Sequence, residues 1–133
     1  MNIRIVNVDD DQDDRDLFCH VIQKIDPEIQ CIQIDSGEEA VEMLSRNEII
    51  PDYIFMDINM PRMNGYECVK EIHHYSSLRN TTIVMYSSTF NPRDQVDFAL
   101  LGLKYLLKTS DLNSLIKSIS DLIGSKSKTQ SVI

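Results

Sequence analysis

Pro51-Asp52-Tyr53-Ile54-Phe55-Met56-Asp57-Ile58-Asn59-Met60-Pro61-Arg62-Met63-Asn64-Gly65 is the stretch on which the fold turns. Tyr53 to Met56 is apolar throughout, as befits a strand covered on both faces of its sheet. The run ends in a carboxylate, Asp57, and the chain leaves through a proline towards Asn64-Gly65, which opens a helix. Three other short runs end in the same manner. Ile3-Arg4-Ile5-Val6-Asn7-Val8 meets Asp9-Asp10-Asp11, Ile83-Val84-Met85-Tyr86 meets Ser87-Ser88, and Tyr105-Leu106-Leu107 meets Lys108. If these runs are parallel neighbours, carboxylates, a hydroxyl and an amine gather at the carboxyl edge of one sheet. That edge is where open α/β sheets bind ligands. Such a set makes a site for a divalent metal and a phosphoryl group.

Between the runs, the apolar spacing becomes helical. Leu17, Phe18, Val21, Ile22 and Ile25 predict a helix from about Asp13 to Ile25, with Asp11 as its cap and Asp26-Pro27 as its stop. Cys31 to Ile34 reads as the second strand. Ser36, with Glu39 three residues on, has the capping-box pattern, and Ala40, Val41, Met43 and Leu44 supply the apolar face behind it. Tyr66, Val69 and Ile72 point inward from the helix after Asn64-Gly65. Thr82 to Tyr86 is the fourth strand. Asn91-Pro92 starts a helix running to about Leu101, which Gly102 ends. Lys104 to Leu107 is the fifth strand. Asp111 or Ser110 caps a last helix with Leu112, Leu115, Ile116, Ile119, Leu122 and Ile123 on one stripe, closed by Gly124. Five βα units imply a parallel sheet with right-handed crossovers. The predicted organisation is one domain over 1–124 and a flexible tail over 125–133, with the effector expected to be another molecule.

Composition narrows the possibilities. The chain has 133 residues, of which 26% are charged and 42% hydrophobic, an ordinary balance for one domain with a core of its own. No apolar run approaches the roughly 20 residues that span a bilayer. Met1-Asn2-Ile3-Arg4 lacks the pattern of a signal peptide, so a cytoplasmic location is expected. The net charge of −8 repels phosphate backbones and argues against direct nucleic-acid binding. Cys19, Cys31 and Cys68 are odd in number, widely spaced and without a CxxC, so all three are expected to be reduced and mostly buried. His20, His73 and His74 have no metal-ligand spacing, and adjacent His73 and His74 would point to different sides of a helix.

Asp57 is the candidate nucleophile. A carboxylate at a strand end is fixed by the sheet yet open to solvent, and it can carry an acyl phosphate. Asp9 and Asp10 are candidates for holding Mg2+ (or Mn2+), which takes oxygen ligands. The ion is needed because an anionic nucleophile must approach an anionic phosphoryl group. Lys108 and Ser87 would each present a donor to a phosphoryl oxygen. In the loop after Asp57, the carbonyl of Asn59 could complete the metal shell, or its side chain could touch the phosphoryl group or a hydrolytic water.

These motifs, taken in order from Val8-Asp9-Asp10-Asp11 through Asp57 to Gly65, Tyr86-Ser87-Ser88 and Tyr105-Leu106-Leu107-Lys108, closely resemble the receiver domain of two-component response regulators. The resemblance covers about residues 2 to 123. It implies a doubly wound, flavodoxin-like (βα)5 fold with strand order 2-1-3-4-5 and helices on both faces. By position, it implies Asp57 as phosphoacceptor, Asp10 as direct metal ligand, Asp9 as an acid acting through water, and Asn59 as carbonyl ligand. It further implies Ser87 as switch hydroxyl, Lys108 as the phosphate-pairing lysine, and Tyr105 as the aromatic switch residue. The partners implied are a sensor histidine kinase or phosphotransfer protein and a separate downstream effector, with the chain a monomer or weak homodimer. The family usually has a proline after this lysine, often in a cis bond; Thr109 stands here. A cis non-proline bond costs roughly 2.5–4 kcal/mol, leaving a strained cis bond or a trans bond with a shifted loop.

Two other readings compete with a phosphoacceptor switch that is not itself an enzyme. A haloacid-dehalogenase-type phosphatase also uses a strand-end Asp with Mg2+, but its D-x-D-x-[TV] pattern would need Thr or Val where Asp13 stands. A receiver used only as a phosphorylation-independent scaffold would tolerate loss of Asp57.

Overall fold

A computed structural model describes residues 2–131, and the side chains of residues 2–124. Five parallel strands lie in the order β2-β1-β3-β4-β5: β1 Arg4–Val8, β2 Gln30–Ile34, β3 Tyr53–Met56, β4 Thr82–Ser87 and β5 Lys104–Leu107. The helices between and after them are α1 Gln12–Ile25, α2 Gly37–Ser45, α3 Gly65–Ile72, α4 Pro92–Leu100 and α5 Leu112–Ser131. This is the doubly wound flavodoxin-like fold expected from the sequence.

Alternation along the strands divides the core into two layers. Val6, Val8, Ile54, Met56, Ile83 and Met85 pack with Ala40, Leu44, Cys68, Val69, Ile72 and Phe98 on the face covered by α2, α3 and α4. Ile5, Tyr53, Phe55, Val84 and Tyr86 pack with Phe18, Val21, Ile22, Leu115 and Ile119 on the face covered by α1 and α5. Tyr53 to Met56 is buried on both faces, which is why that stretch carries no alternation of polarity.

The caps set the starts of the helices. The side chains of Asp11, Ser36, Asn64 and Asn91 each accept the backbone N–H three residues on. Asn64 with Glu67 and Asn91 with Asp94 close full capping boxes. At Ser36 only the hydroxyl half of the expected box forms, because the Glu39 carboxyl turns to Asp35, and that contact raises its pKa. Gly102 ends the α4 segment at φ +70, a conformation that costs a residue without a Cβ little. Asp111 directly precedes α5, and its carboxylate accepts the Ser114 hydroxyl at 2.7 Å.

Several expectations need correction. Gly124 does not close α5, which continues to Ser131; nothing clashes near Gly124 and no Pro follows. What the sequence reading assigned to residues 132–133 lies outside the described residues. Leu17 is exposed rather than core, because it falls at the lip of α1 beside the β4 and β5 ends. His73 and His74 follow the end of α3 rather than lying within it, and their rings meet edge to face. Cys19 and Cys31 are not reduced thiols: they form a disulfide between α1 and β2, with both residues half-buried. Sequence spacing missed it because a helix and a strand bring the two together in space. Among the described residues no peptide bond is cis, so Lys108-Thr109 is trans.

Candidate phosphoryl and metal site

The carboxyl ends of β1, β3, β4 and β5 deliver the predicted groups to one place. Register sets their height: Val8 pairs with Met56, Met56 with Met85, and Ser87 with Leu107. Asp9 and Asp57 therefore leave neighbouring strands side by side, locked by the Asp57 N–H donating to the Val8 carbonyl at 2.9 Å. Asp9 and Asp57 are buried, while Asp10 is exposed at the rim. One oxygen from each of Asp9, Asp10 and Asp57 lies within 4.8 Å of the others. All-carboxylate donors with an open side suit a hard divalent cation that keeps some of its water. The donor set therefore fits Mg2+ or Mn2+.

Lys108 reaches the same acids. Its Nζ donates to Asp9 Oδ2 at 2.8 Å, Asp14 Oδ2 at 3.2 Å and Asp57 Oδ1 at 3.4 Å. The trans bond to Thr109 thus leaves the lysine aimed into the pocket. Burial pulls the Lys108 ammonium down, but the hydrogen bond to Asp9 and the charges of Asp57 and Asp9 outweigh it, so its pKa is raised. The Asp57 pKa is raised as well, which for a carboxylate disfavours the charged form: burial lifts it to about 6, the Lys108 charge opposes this, and the charges of Asp9 and Asp10 add to it. A further ammonium contact is aromatic, with Nζ 5.4 Å from the centroid of Tyr86.

Ser87, the last residue of β4, is buried beside the end of β3, and its Oγ has no hydrogen-bond partner among the described residues. Ser88, one residue on, faces outward. Asn59 and Thr89 are exposed and line one shallow cleft with Tyr66, Phe90 and Asp94. Tyr105 is 44% exposed. Its ring meets Phe90 at 5.4 Å and Phe98 at 5.9 Å, and Tyr66 stacks on Phe98 at 5.6 Å. The Tyr66 hydroxyl donates to Asp94, tying α3 to the start of α4.

Sequence reasoning missed three contributors. Asp14 was hidden in a run of acids, although it stands one helical turn beyond Asp10. Arg15 donates to the Asp9 carbonyl at 2.7 Å and to Gln33 Oε1 at 3.1 Å, a reach no spacing rule predicts. Gly65 carries no chemistry but lets α3 approach: a Cβ there would lie 2.3 Å from the Asp57 carbonyl oxygen. Its place in Asn64-Gly65 was read only as a helix start.

The sequence matches the response regulator receiver domain family over residues 5–120. The transcriptional regulatory protein DegU of Brevibacillus brevis is 31% identical over 122 residues, 88% of this chain and 48% of DegU. The sensor histidine kinase CheAY of Helicobacter pylori is 27% identical over 127 residues, 92% of this chain and 16% of CheAY. The chain thus spans less than half the length of either curated relative. Among solved structures, the chemotaxis protein CheY4 of Vibrio cholerae superposes with a TM-score of 0.78 at 24% identity, covering 91% of this chain and 98% of CheY4.

Proposed function

We propose that this chain, which belongs to the response regulator receiver domain family, is a phosphoacceptor switch: Asp57 takes a phosphoryl group from a histidine kinase or phosphotransfer protein, and a separate partner reads the result. The receiver unit is 1–124, and it works in the cytoplasm; among the described residues no helix is long and apolar enough to cross a membrane. The observation that carries the reading is a buried Ser87 hydroxyl without a partner among the described residues, at the end of β4 beside the strand that Asp57 leaves, with Lys108 already 3.4 Å from Asp57. A hydroxyl in that state favours an incoming acceptor oxygen, because burying it without one costs about 1–3 kcal/mol.

Asp57 attacks phosphorus through a carboxylate oxygen, in line with the departing donor, and becomes an acyl phosphate. Asp10 and Asp57 side chains and the Asn59 carbonyl would hold Mg2+, with Asp9 acting through water, and when bound it would supply positive charge against the phosphoryl oxygens. Lys108 exchanges its contact with Asp57 for a phosphoryl oxygen, keeping its ammonium in the pocket through Asp9. Ser87 turns its hydroxyl to another phosphoryl oxygen. That draws the β4–α4 connection toward Asp57 and opens space beside Phe90, into which the Tyr105 ring turns. Val96 and Leu100 on α4, with Tyr105 and Leu107 on β5, form an apolar surface whose shape then changes, and the partner binds there.

The test is chemical. Incubated with Mg2+ and a small acyl phosphate, the protein gains one phosphoryl mass that hydroxylamine removes, and Asp57→Asn gains none. Failure to form the adduct under conditions that label a known receiver overturns the reading, and sustained turnover of phosphate esters favours a phosphatase instead.

A further inference from the structure

The seam between α1 and β2 is built in rungs. Arg15 meets Gln33 at 3.1 Å, and Gln33 also donates to Asp16 at 3.2 Å. One helical turn further along α1 and two residues back along β2, Cys19 meets Cys31, with Cα atoms 5.8 Å apart. The steps match, since four helical residues rise about 6 Å and two strand residues about 6.6 Å. The first rung leads directly into the acid pocket, because the Arg15 guanidinium also holds the Asp9 carbonyl at 2.7 Å. The second rung is a pair of cysteines whose Cα separation is the one that disulfides favour.

We propose that Cys19 and Cys31 are a redox modification site, a dithiol that exchanges reversibly with low-molecular-weight disulfides and thereby locks or frees the α1–β2 seam beside Asp9. Both residues are half-buried, so a small reagent can reach them. The fold does not depend on the bond. Phe18, Val21 and Ile22 on the same helix are buried against the sheet and keep α1 in place in the dithiol form. The third cysteine gives an internal contrast: Cys68 is fully buried, burial pushes its thiol up to about 12, and it stays unreactive.

The exchange balances in two displacements. One cysteine thiolate attacks a sulfur of the small disulfide, forming a mixed disulfide and releasing the first small thiolate. The second cysteine thiolate attacks the protein-bound sulfur, closing the Cys19–Cys31 bond and releasing the second. The two cysteines are oxidised by two electrons, the reagent is reduced to two thiols, and the two cysteine protons end on them. Excess small thiol runs the sequence backwards.

The experiment uses the full chain, reduced, desalted and treated with 2-hydroxyethyl disulfide. Intact mass should fall by the two hydrogens lost, and peptide mapping should join Cys19 to Cys31 with Cys68 free. Reduction should restore the mass and lower the melting temperature by about 10 °C, as expected for a crosslink closing a short loop. Amides of residues 11–25 should exchange with deuterium more slowly in the oxidised form. Cys31→Ala should stop at a mixed disulfide on Cys19 and lose both differences. No reaction, a persistent small-thiol adduct on wild type, a bond to Cys68, or equal melting and exchange in the two states would each overturn the proposal. The site rests only in its consequence on the phosphoacceptor reading, so the same samples are also treated with acyl phosphate. Absence of label in both states counts against that reading alone, while mass and exchange decide the redox site.

Discussion

The two flanks of Asp57 are prepared differently. On the flank of α1 and α5, Lys108 already engages Asp9, Asp14 and Asp57, and Arg15 clamps the Asp9 backbone. Lys108, Asp9, Asp14 and Asp57 are thus already paired there. On the flank of α4, among the described residues, the Ser87 hydroxyl is buried without a partner, and Tyr105 makes ring contacts with Phe90 and Phe98. The difference teaches where change can be inexpensive. The Lys108–Asp9 ion pair at 2.8 Å resists rearrangement, whereas a lone hydroxyl and an edge-packed ring have little to lose by moving.

Breaking the charged flank should have the largest effect on stability. Lys108→Ala leaves Asp9 buried without its cation and should lower unfolding free energy by about 3 kcal/mol, measured by urea titration without divalent ions. Millimolar Mg2+ should restore part of that loss, because it supplies positive charge to the same acids.

The next effect is a pH dependence. The folded carboxyl of Asp57 is raised to about 6 against 3.8 for the unfolded group, so the folded chain binds more protons between those values. Its contribution is fully present below about pH 4 and is lost as pH rises through about 6. In chelator, stability should therefore fall across that window by about 2–3 kcal/mol from this group. Asp57→Asn should flatten that part of the curve and melt higher than wild type at pH 7. An unchanged slope in the variant would assign the effect to other acids.

Smaller effects test the looser flank. Tyr66→Phe removes the hydrogen bond that fixes α3 to α4 and should cost about 1 kcal/mol, read as a shift of the denaturation midpoint. Ser87→Ala should not lower stability and should raise it by up to about 1 kcal/mol, because it removes a buried hydroxyl that has no partner among the described residues. The same variant should still be labelled at Asp57 yet fail to transmit the change to Tyr105, detectable by ring resonances in NMR. A large loss of stability in Ser87→Ala would erase the contrast between the flanks.

Much of this was readable in the chain. The apolar runs ending at Asp9, Asp57, Ser87 and Lys108 fixed strand ends, and parallel pairing turned four distant positions into one pocket. Asp11, Ser36, Asn64 and Asn91 announced the helices because a cap is a local hydrogen bond. What escaped was whatever depends on reach across elements. The Lys108 contact to Asp14, the Arg15 clamp and the Cys19–Cys31 bond all join a helix to a strand at angles no periodicity encodes. Leu17 misled because helical spacing specifies a face without saying where that face runs past the edge of the sheet. Gly124 misled because a glycine is only a permitted end, and α5 continues through it to Ser131.

The crowding at Gly65 bears on how saturation mutagenesis of this chain would be interpreted. Any side chain there collides with the main chain of residue 57, so a screen scored by signalling output would rank positions 57 and 65 together as intolerant. Scoring the same library for intracellular abundance should separate them, with substitutions at 65 depleted and Asp57→Asn retained.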